Sequence, residues 1–197
     1  AGAIILLGAA LVLLVRTGVF GALPGRQELQ EIRNPVATEV YSADGALMGT
    51  WHIQNRQYLD PAAVPEVVWE ALVATEDVRF FEHRGIDYRS LGRVFFKSLL
   101  MGDRSSGGGS TLTQQLAKNL FLTPEKTLVR KLREAFLAFQ LERRYTKDEI
   151  LELYLNQVYF GSGTYGVKMA AEKYFAKPVS KLNLAECALI AGLPKAP

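Results

Sequence analysis

The hydrophobic pattern is densest at the start of the chain. Residues 1–15 are all apolar or glycine, and Arg16 interrupts the run before it resumes toward residue 23. Because a membrane-spanning helix needs about 20 apolar residues, the pattern predicts a single transmembrane anchor at residues 1–23, truncated at its start. The core of a signal peptide is the alternative, but no small-x-small cleavage site follows at the expected position.

Polarity rises at residues 24–35, which are predicted to be a connector, and a folded domain is predicted at residues 36–197. The first part of this domain reads as strands. Val40 and Tyr41 lead into Ser-Ala-Asp-Gly at residues 42–45, which is a hairpin turn signal, and the chain can return through residues 47–53. A small β element is therefore expected close to the anchor.

Helical periodicity takes over from Pro65 onward. Pro65 suits the first position of a helix, and Val68, Ala71 and Leu72 then lie on one face. A later helix is expected to begin at Asp87, whose side chain can cap it. That helix carries the apolar residues Leu91, Val94, Phe95 and Leu99.

The second half of the domain is also predicted to be helical. A glycine-rich loop at residues 102–109 leads into a helix at Ser110 or Thr111, and Thr123-Pro124 predicts the start of another that runs to about Arg144. Capping boxes mark two more helices, Thr146 with Glu149 and Asn183 with Glu186. The fold class is therefore mainly α, with a small β element.

Composition and charge narrow the possible functions. With 49% apolar and 22% charged residues, the chain is neither disordered nor wholly membrane-embedded, and a net charge of +3 is too small to indicate a nucleic-acid partner. Lysine and arginine concentrate between Lys118 and Arg144, which indicates an anionic ligand or lipid headgroups; a solvated helix face is the alternative. The single cysteine, Cys187, allows no internal disulfide and is expected in the core.

A first candidate site is the segment Glu76-Asp77-Val78-Arg79-Phe80-Phe81-Glu82-His83-Arg84-Gly85. Glu76 lies near the end of an apolar helix, and Phe80 and Phe81 can form a partly dry wall beside it. Such a wall disfavours the charged form of a carboxylate and so makes it a better general base. Solvated acids at a helix end are the alternative. His83 is expected to be a structural hydrogen-bonding group, because no second histidine lies near it.

A second candidate combines Gly108-Gly109-Ser110-Thr111-Leu112-Thr113-Gln114-Gln115 with Lys118-Asn119. Free N–H groups at the start of a helix favour an anion, and Gln114 and Lys118, spaced four apart, share a face. The segment lacks the Gly-Lys-Ser/Thr ending of a nucleotide P-loop. A flexible loop followed by a helix cap is the alternative reading.

A third candidate is Arg130-Lys131-Leu132-Arg133-Glu134. Arg130 and Glu134 are spaced four apart, and an arginine beside a lysine suits a diphosphate. The alternative is an exposed, salt-bridged helix face that contributes little stability. The later segment Ile150-Leu151-Glu152-Leu153-Tyr154-Leu155-Asn156 looks mostly like core.

Taken in order, these four segments resemble glycosyltransferase family 51, the peptidoglycan glycosyltransferases, which occur as monofunctional enzymes and as the N-terminal module of class A penicillin-binding proteins. The segments match the family patterns Glu-Asp-x-x-Phe-x-x-His-x-Gly, Gly-x-Ser-Thr-x-Thr-Gln-Gln, Arg-Lys-x-x-Glu and Ile-Leu-Glu-x-Tyr-Leu-Asn. The resemblance covers nearly all the chain beyond the predicted anchor. It implies a lysozyme-like helical head and a smaller membrane-proximal lobe. The crowded apolar residues Phe95, Phe96, Leu99, Leu100 and Met101 are expected in that lobe, with ordinary core as the alternative.

The resemblance also implies roles for individual residues. Glu76 matches the general base of the family, and Glu134 matches a second acidic residue beside the substrate diphosphate. The residues expected to bind substrate are Asp77, Arg93, Ser110, Thr111, Gln114, Gln115, Lys118, Asn119, Arg130 and Lys131. No cofactor is required by the sequence; a divalent cation, Mg²⁺ or Mn²⁺, could bridge Glu134 and the diphosphate, but no ligand cluster demands one.

The implied reaction is the inverting polymerisation of lipid II into β-1,4-linked glycan strands, with release of undecaprenyl diphosphate. The implied partners are lipid II, the growing glycan chain, the lipid bilayer, and a transpeptidase domain in cis or other cell-wall synthesis proteins, with no nucleic acid. The implied location is the bacterial inner membrane, with one span and the catalytic domain outside the cytoplasm. A lysozyme-type hydrolase and a non-enzymatic wall-binding scaffold are the rival functions.

Overall fold

The computed structural model describes residues 18, 23–25, 27–29, 32, 38–51, 57–101, 109–123, 125 and 127–195. Most of the predicted anchor, half of the predicted connector and residues 102–108 of the glycine-rich loop lie outside these residues. Within the described ranges, no helix is both long and apolar enough to cross a bilayer.

The predicted β element is an antiparallel hairpin of strands β1 (Thr38–Tyr41) and β2 (Leu47–Trp51). Thr38 pairs with Trp51, and the register shifts between Val40 and Tyr41. The turn is closed by a hydrogen bond from the Ser42 amide to the Ala46 carbonyl at 2.8 Å. Gly45 has a φ of +81°, a conformation that glycine adopts at no steric cost. The hairpin prediction is confirmed.

Seven α-helices follow in the described part of the chain, which confirms the mainly α prediction; the lysozyme-like arrangement and the membrane-proximal lobe stay predictions. Three single 3₁₀ turns, Pro61–Ala63, Val179–Lys181 and Leu193–Lys195, link some of them. The α-helices are α1 (Glu66–Glu76), α2 (Tyr88–Met101), α3 (Leu112–Phe121), α4 (Leu128–Glu142), α5 (Lys147–Gln157), α6 (Val167–Phe175) and α7 (Leu184–Gly192).

Helix α3 lies at the centre of the fold. It packs against α4 and α5, while α1 packs against α7. Leu112, Leu116 and Ala117 of α3 are completely buried, and Val68 and Leu72 form the buried face of α1, as the periodicity predicts. Because burying one such leucine side chain contributes about 2 kcal/mol, this packing holds α3 in a fixed position.

Side-chain caps fix where most helices begin. The predicted capping boxes of α5 and α7 are present, and Asp87 accepts hydrogen bonds from the Arg89 and Ser90 amides at the start of α2. The predicted start of α4 at residues 123–124 is wrong. Thr127 caps this helix by accepting from the Arg130 amide at 3.1 Å, and a second threonine in the same segment therefore supplies the cap.

Gly85 brings the loop after Glu76 against α4. Its φ is +85°, and a β-carbon at this position would lie 3.0 Å from the backbone of Ala138. The Thr111 hydroxyl donates to the Gly85 carbonyl at 2.6 Å and so ties the same turn to the start of α3. The loop after Glu76, α3 and α4 consequently meet at one place.

Candidate active site

The two carboxylate oxygens of Glu76 differ in their hydrogen bonding. Glu76 is the last residue of α1, and Gln115 Nε2 donates to its Oε2 at 2.8 Å. The other oxygen, Oε1, is buried and has no hydrogen-bond partner among the described residues. A buried acceptor without a donor is costly, so Oε1 is ready to accept a hydrogen bond from a bound molecule.

Tyr154 extends this contact into the core. Its hydroxyl donates to Gln115 Oε1 at 2.9 Å, and its side chain is completely buried. Burial, followed by the negative charge of Glu76, raises the pKa of Tyr154 far above its usual value. Sequence reasoning assigned Tyr154 to the core and missed its contact with the site. The signal available was a hydroxyl within an otherwise apolar helical face.

The aromatic residues after Glu76 have their described contacts with other side chains, and the wall beside Glu76 stays a prediction. Phe80 is completely buried, with the Lys147 ammonium 4.3 Å from its ring centroid. Phe81 is largely exposed and meets the edge of Phe80. The recorded contacts that shelter Glu76 come from Gln115, with Tyr154 behind it.

Asp77 is turned toward protein partners. His83 Nε2 donates to both of its oxygens, at 3.1 and 2.9 Å, and the Leu112 amide donates to Oδ2 at 3.0 Å. A carboxylate at the start of a helix is also favoured by the helix dipole. Asp77 therefore anchors α3 beside Glu76, and His83 is the structural group that the sequence predicts. The substrate contact of Asp77 stays a prediction.

Thr111 and Gln114 form a capping box at the start of α3. The Thr111 hydroxyl accepts from the Gln114 amide at 3.1 Å, and Gln114 Oε1 accepts from the Thr111 amide at 3.0 Å. Both side chains are buried. This geometry gives them a structural function in fixing α3, and their predicted contact with substrate is not tested by it.

A cluster of charges lies where α4 meets the start of α3. Lys131 Nζ donates to Ser110 Oγ at 2.6 Å and also to the carboxylate of Glu134. Arg130 Nη1 lies 3.5 Å from Glu134 Oε2. Only 2% of the Glu134 side chain is exposed, whereas 42% of Lys131 is exposed. The alternative of a fully solvated helix face is therefore excluded for Glu134.

Helix α3 connects Glu76 to this charge cluster. Ser110, which contacts Lys131, is followed five positions later by Gln115, which contacts Glu76. Five residues rise by about 7 to 8 Å along a helix, and Ser110 lies just before the first turn of α3, so the two contacts lie near the same end of this helix. The structure therefore brings Glu76, Gln115, Ser110, Arg130, Lys131 and Glu134 into one region.

The other predicted substrate-binding residues carry fewer recorded contacts. Lys118 is half-buried in the last turn of α3, and no ion pair is recorded for it within the described residues. Asn119 is exposed on the same helix, and Arg93 is exposed on α2. Their predicted roles stay predictions.

Two cations already lie beside Glu134, and a divalent cation that bridges it to a bound diphosphate stays a prediction. The two carboxylate oxygens already face Lys131 and Arg130, and a metal ion placed between them would be repelled by both cations. No group of three His, Cys, Asp or Glu side chains able to hold a metal ion occurs in the described part of the chain.

A cavity of about 870 Å³ lies between α1 and α5, lined by Trp69, Val73, Phe81 and Leu151. All five charged residues in its lining are acidic: Glu66, Glu70, Asp148, Glu149 and Glu152. Such a lining would repel a diphosphate. This cavity is therefore unsuited to an anionic group, whereas Lys131 and Arg130 in the charge cluster carry the opposite charge.

Comparison with known proteins identifies the family. A family model described as "Transglycosylase" matches residues 44–197. The chain is 51% identical over 179 residues to penicillin-binding protein 1A of Aquifex aeolicus (strain VF5), an alignment that covers 91% of this chain and 24% of that protein. It is 46% identical over 193 residues to penicillin-binding protein 1A of Escherichia coli (strain K12), covering 98% of this chain and 23% of that protein.

The alignments cover only part of each relative, and the chain spans about a quarter of the length of these curated relatives. Among solved structures, penicillin-binding protein 1A from Haemophilus influenzae aligns over 83% of this chain and 15% of that one, at 28% identity and a TM-score of 0.40. The family match and the two high identities show that the chain belongs to the transglycosylase family, as a domain of the peptidoglycan glycosyltransferase class of enzymes.

Proposed function

We propose that this domain polymerises lipid II into β-1,4-linked glycan strands by inverting transfer, with release of undecaprenyl diphosphate. The observation that carries the proposal is the carboxylate of Glu76. One oxygen is fixed by Gln115, and the other is buried and has no partner among the described residues. An oxygen in that state is suited to take the proton from the 4-hydroxyl of an acceptor sugar.

The leaving group needs positive charge and does not need a proton donor, because a diphosphate is already a good leaving group. Lys131 and Arg130 meet this need, with Glu134 holding both in place. Lys118, farther along α3, is a third cation for the same purpose. Losing one such group raises a reaction barrier by roughly 2–4 kcal/mol in comparable sites.

The charge cluster argues against a lysozyme-type hydrolase. Cleavage of glycan produces no diphosphate, so a lysine and an arginine around a buried acid would serve no purpose. A hydrolase would also need a second carboxyl group directed at the sugar, whereas the oxygens of Glu134 are engaged by Lys131 and Arg130. A non-enzymatic scaffold leaves the unpartnered oxygen of Glu76 without a purpose.

The setting of the domain is part of the proposal. Residues 1–23 form the single membrane anchor, the catalytic domain lies outside the cytoplasm, and lipid II reaches it from the bacterial inner membrane. Because the relatives are about four times as long as the aligned region, we include a transpeptidase domain in cis as a partner. The support is the family, together with the apolar pattern of the first residues.

The test is polymerisation of lipid II by purified full-length protein in detergent. Wild type is expected to make long glycan and release lipid diphosphate, whereas Glu76→Gln makes none. Glu70→Gln is the matched control, because Glu70 is an exposed acid on the same helix. Polymer formation by Glu76→Gln at the wild-type rate would reject the mechanism. New reducing ends without lipid diphosphate would favour the hydrolase.

A further inference from the structure

Tyr154, Gln115 and Glu76 form a linear chain of hydrogen bonds from the core to the surface of the site. The Tyr154 hydroxyl donates to Gln115 Oε1 at 2.9 Å, and Gln115 Nε2 donates to Glu76 Oε2 at 2.8 Å. The three residues come from α5, α3 and α1, so the chain joins three helices. No other described residue offers a recorded hydrogen bond to this carboxylate.

The amide of Gln115 can take two orientations, because its oxygen accepts and its nitrogen donates. Only one orientation suits Glu76. With Nε2 toward the carboxylate, the contact is an N–H···O⁻ hydrogen bond. With Oε1 toward it, two acceptors would face each other and repel. A hydrogen-bond donor next to Gln115 Oε1 would therefore select the orientation in which Nε2 faces Glu76.

Tyr154 makes this selection if its hydroxyl remains a proton donor. The side chain is completely buried, and burial together with the charge of Glu76 raises its pKa far above its usual value. The hydroxyl therefore stays protonated throughout the pH range of enzymatic activity. With its proton directed at Gln115 Oε1, the Gln115 amide nitrogen is left to face Glu76.

We propose that Tyr154 is a positioning residue that acts through Gln115, holding the amide so that it fixes Oε2 of Glu76 and leaves Oε1 to meet the acceptor hydroxyl. This inference rests on the proposed function, in which Glu76 is the general base. Tyr154 touches neither substrate nor reacting atoms, and its effect on the reaction passes entirely through the side chain of Gln115.

Other charged groups near the site are engaged elsewhere. Asp77, next to Glu76, is bonded to His83 and to the start of α3. Glu142 of α4 accepts from Thr113 and Lys147. Among the described residues, Tyr154 is a titratable group whose pKa the charge of Glu76 raises. A change at Tyr154 is therefore expected to reach Glu76 through Gln115, and the ion pairs of Asp77 and Glu142 are not needed for it.

The decisive variant is Tyr154→Phe, which removes one hydroxyl and keeps the ring. Full-length protein in detergent is expected to lose about tenfold in kcat at neutral pH, since a hydrogen bond to a charged group is weakened. KM for lipid II should stay within about twofold because no substrate contact is removed. The acidic limb of the pH–kcat profile should move to higher pH, since a Gln115 amide that is no longer held in place donates less to the carboxylate and so disfavours its charged form.

Tyr174→Phe is the matched control. Tyr174 is a partly buried tyrosine whose hydroxyl donates to the Phe160 carbonyl at 2.8 Å, and this contact does not involve Glu76. Its loss is expected to lower the melting temperature by a similar amount and to leave the pH–kcat profile in place. If kcat falls in both variants and the acidic limb of the pH–kcat profile stays at the wild-type pH in both, then Tyr154 has only a structural role and the inference is overturned.

A double-mutant cycle tests whether the effect passes through Gln115. Gln115→Ala is expected to lower kcat, and adding Tyr154→Phe to it should cause no further fall. An equal fall in both backgrounds would overturn the inference. Glu76→Gln, assayed in parallel, separates the two levels. If it is active, the proposed function fails; if it is inactive while Tyr154→Phe behaves as wild type, only the role of Tyr154 fails.

Discussion

At the scale of single residues, two Lys–Glu pairs show how burial changes the meaning of an ion pair. Lys131 with Glu134 and Lys177 with Glu186 have the same lysine exposure, 42%. The acids differ, because Glu134 is 2% exposed and Glu186 is 15% exposed. An exposed ion pair contributes at most about 1 kcal/mol to the free energy of unfolding. A carboxylate as deeply buried as that of Glu134 would be costly to bury without the two cations beside it.

Lys131→Ala is therefore expected to reduce kcat on lipid II by roughly 30- to 1000-fold, the equivalent of about 2–4 kcal/mol of barrier. Its charge is lost from the side on which diphosphate leaves, and Glu134 keeps only Arg130. Steady-state kinetics measures the effect, with Lys177→Ala as the control of equal lysine exposure. Equal activity of the two variants would remove Lys131 from the mechanism.

Single residues also show where reading the sequence reaches its limit. The start of a helix at Ser110 and Thr111 predicts an anion site, but the capping box that Thr111 and Gln114 form there was not predicted. Tyr154 shares its helical face with leucines and so looked like core. Which of these polar atoms reaches the site depends on how α1, α3 and α5 pack, and no local pattern records that.

At the scale of elements, Asp87 fixes the start of α2. Arg79 Nη2 donates to its Oδ2 at 2.6 Å, and its Oδ1 accepts from two helix amides. Burial raises the pKa of Asp87, but the hydrogen bonds from Arg79 and Ser90 outweigh that effect, and its pKa falls to about 2. The carboxylate therefore stabilises the fold wherever it is ionised.

Asp87→Asn is expected to lower the free energy of unfolding by about 2 kcal/mol above pH 5, given 1.4 kcal/mol per pKa unit. A depressed pKa stabilises above the unfolded value of 3.8. The difference between wild type and variant should therefore shrink as the pH falls from about 4 to about 2. Denaturant unfolding at several pH values measures it, and a difference that stays constant down to pH 2 would contradict this account.

Gly85→Ala tests how closely the loop after Glu76 approaches α4. Gly45 and Gly85 have similar positive φ angles, +81° and +85°, but only at Gly85 would a β-carbon meet backbone, 3.0 Å from Ala138. Gly45→Ala measures the cost of the backbone conformation alone, about 1 kcal/mol. Gly85→Ala should lower the free energy of unfolding by at least 1 kcal/mol more than Gly45→Ala does. Equal losses in the two variants would show that the backbone near Ala138 can move away from the added β-carbon without a cost.

Local signals explain why most elements were predictable. The hairpin turn at residues 42–45, the cap at Asp87 and two capping boxes are encoded within four residues each. The start of α4 was misplaced because Thr123-Pro124 has the pattern of a cap followed by proline at a first helical position, whereas the cap is made four residues later by Thr127.

At the scale of the whole molecule, α3 is the helix that joins Glu76, the proposed base, to the cations. The family motifs were legible from the sequence, and the family was confirmed, but the order of contacts Glu76–Gln115–α3–Ser110–Lys131 needed the fold. Most of the anchor proposed at residues 1–23 lies outside the described ranges, and Leu23, its last residue, packs against the core of the domain.

The proposed membrane-proximal lobe has a test in Phe96, an exposed residue of α2. A photo-crosslinking side chain placed there, in full-length protein reconstituted into lipid bilayers, is expected to label lipid. The matched control is Phe81, which has the same exposed fraction, 61%, but lines the acidic cavity between α1 and α5. Equal lipid labelling at both positions, or none at Phe96, would place this face of α2 away from the bilayer.

The central claim is that Glu76 acts on the reacting hydroxyl and does not hold the donor. The most direct measurement compares Glu76→Gln with wild type in two quantities, the dissociation constant for lipid II and the single-turnover rate of transfer. We predict a dissociation constant within about threefold of wild type and a rate at least about a thousandfold lower. A rate within tenfold of wild type, or a rate lost in proportion to binding, would contradict the account.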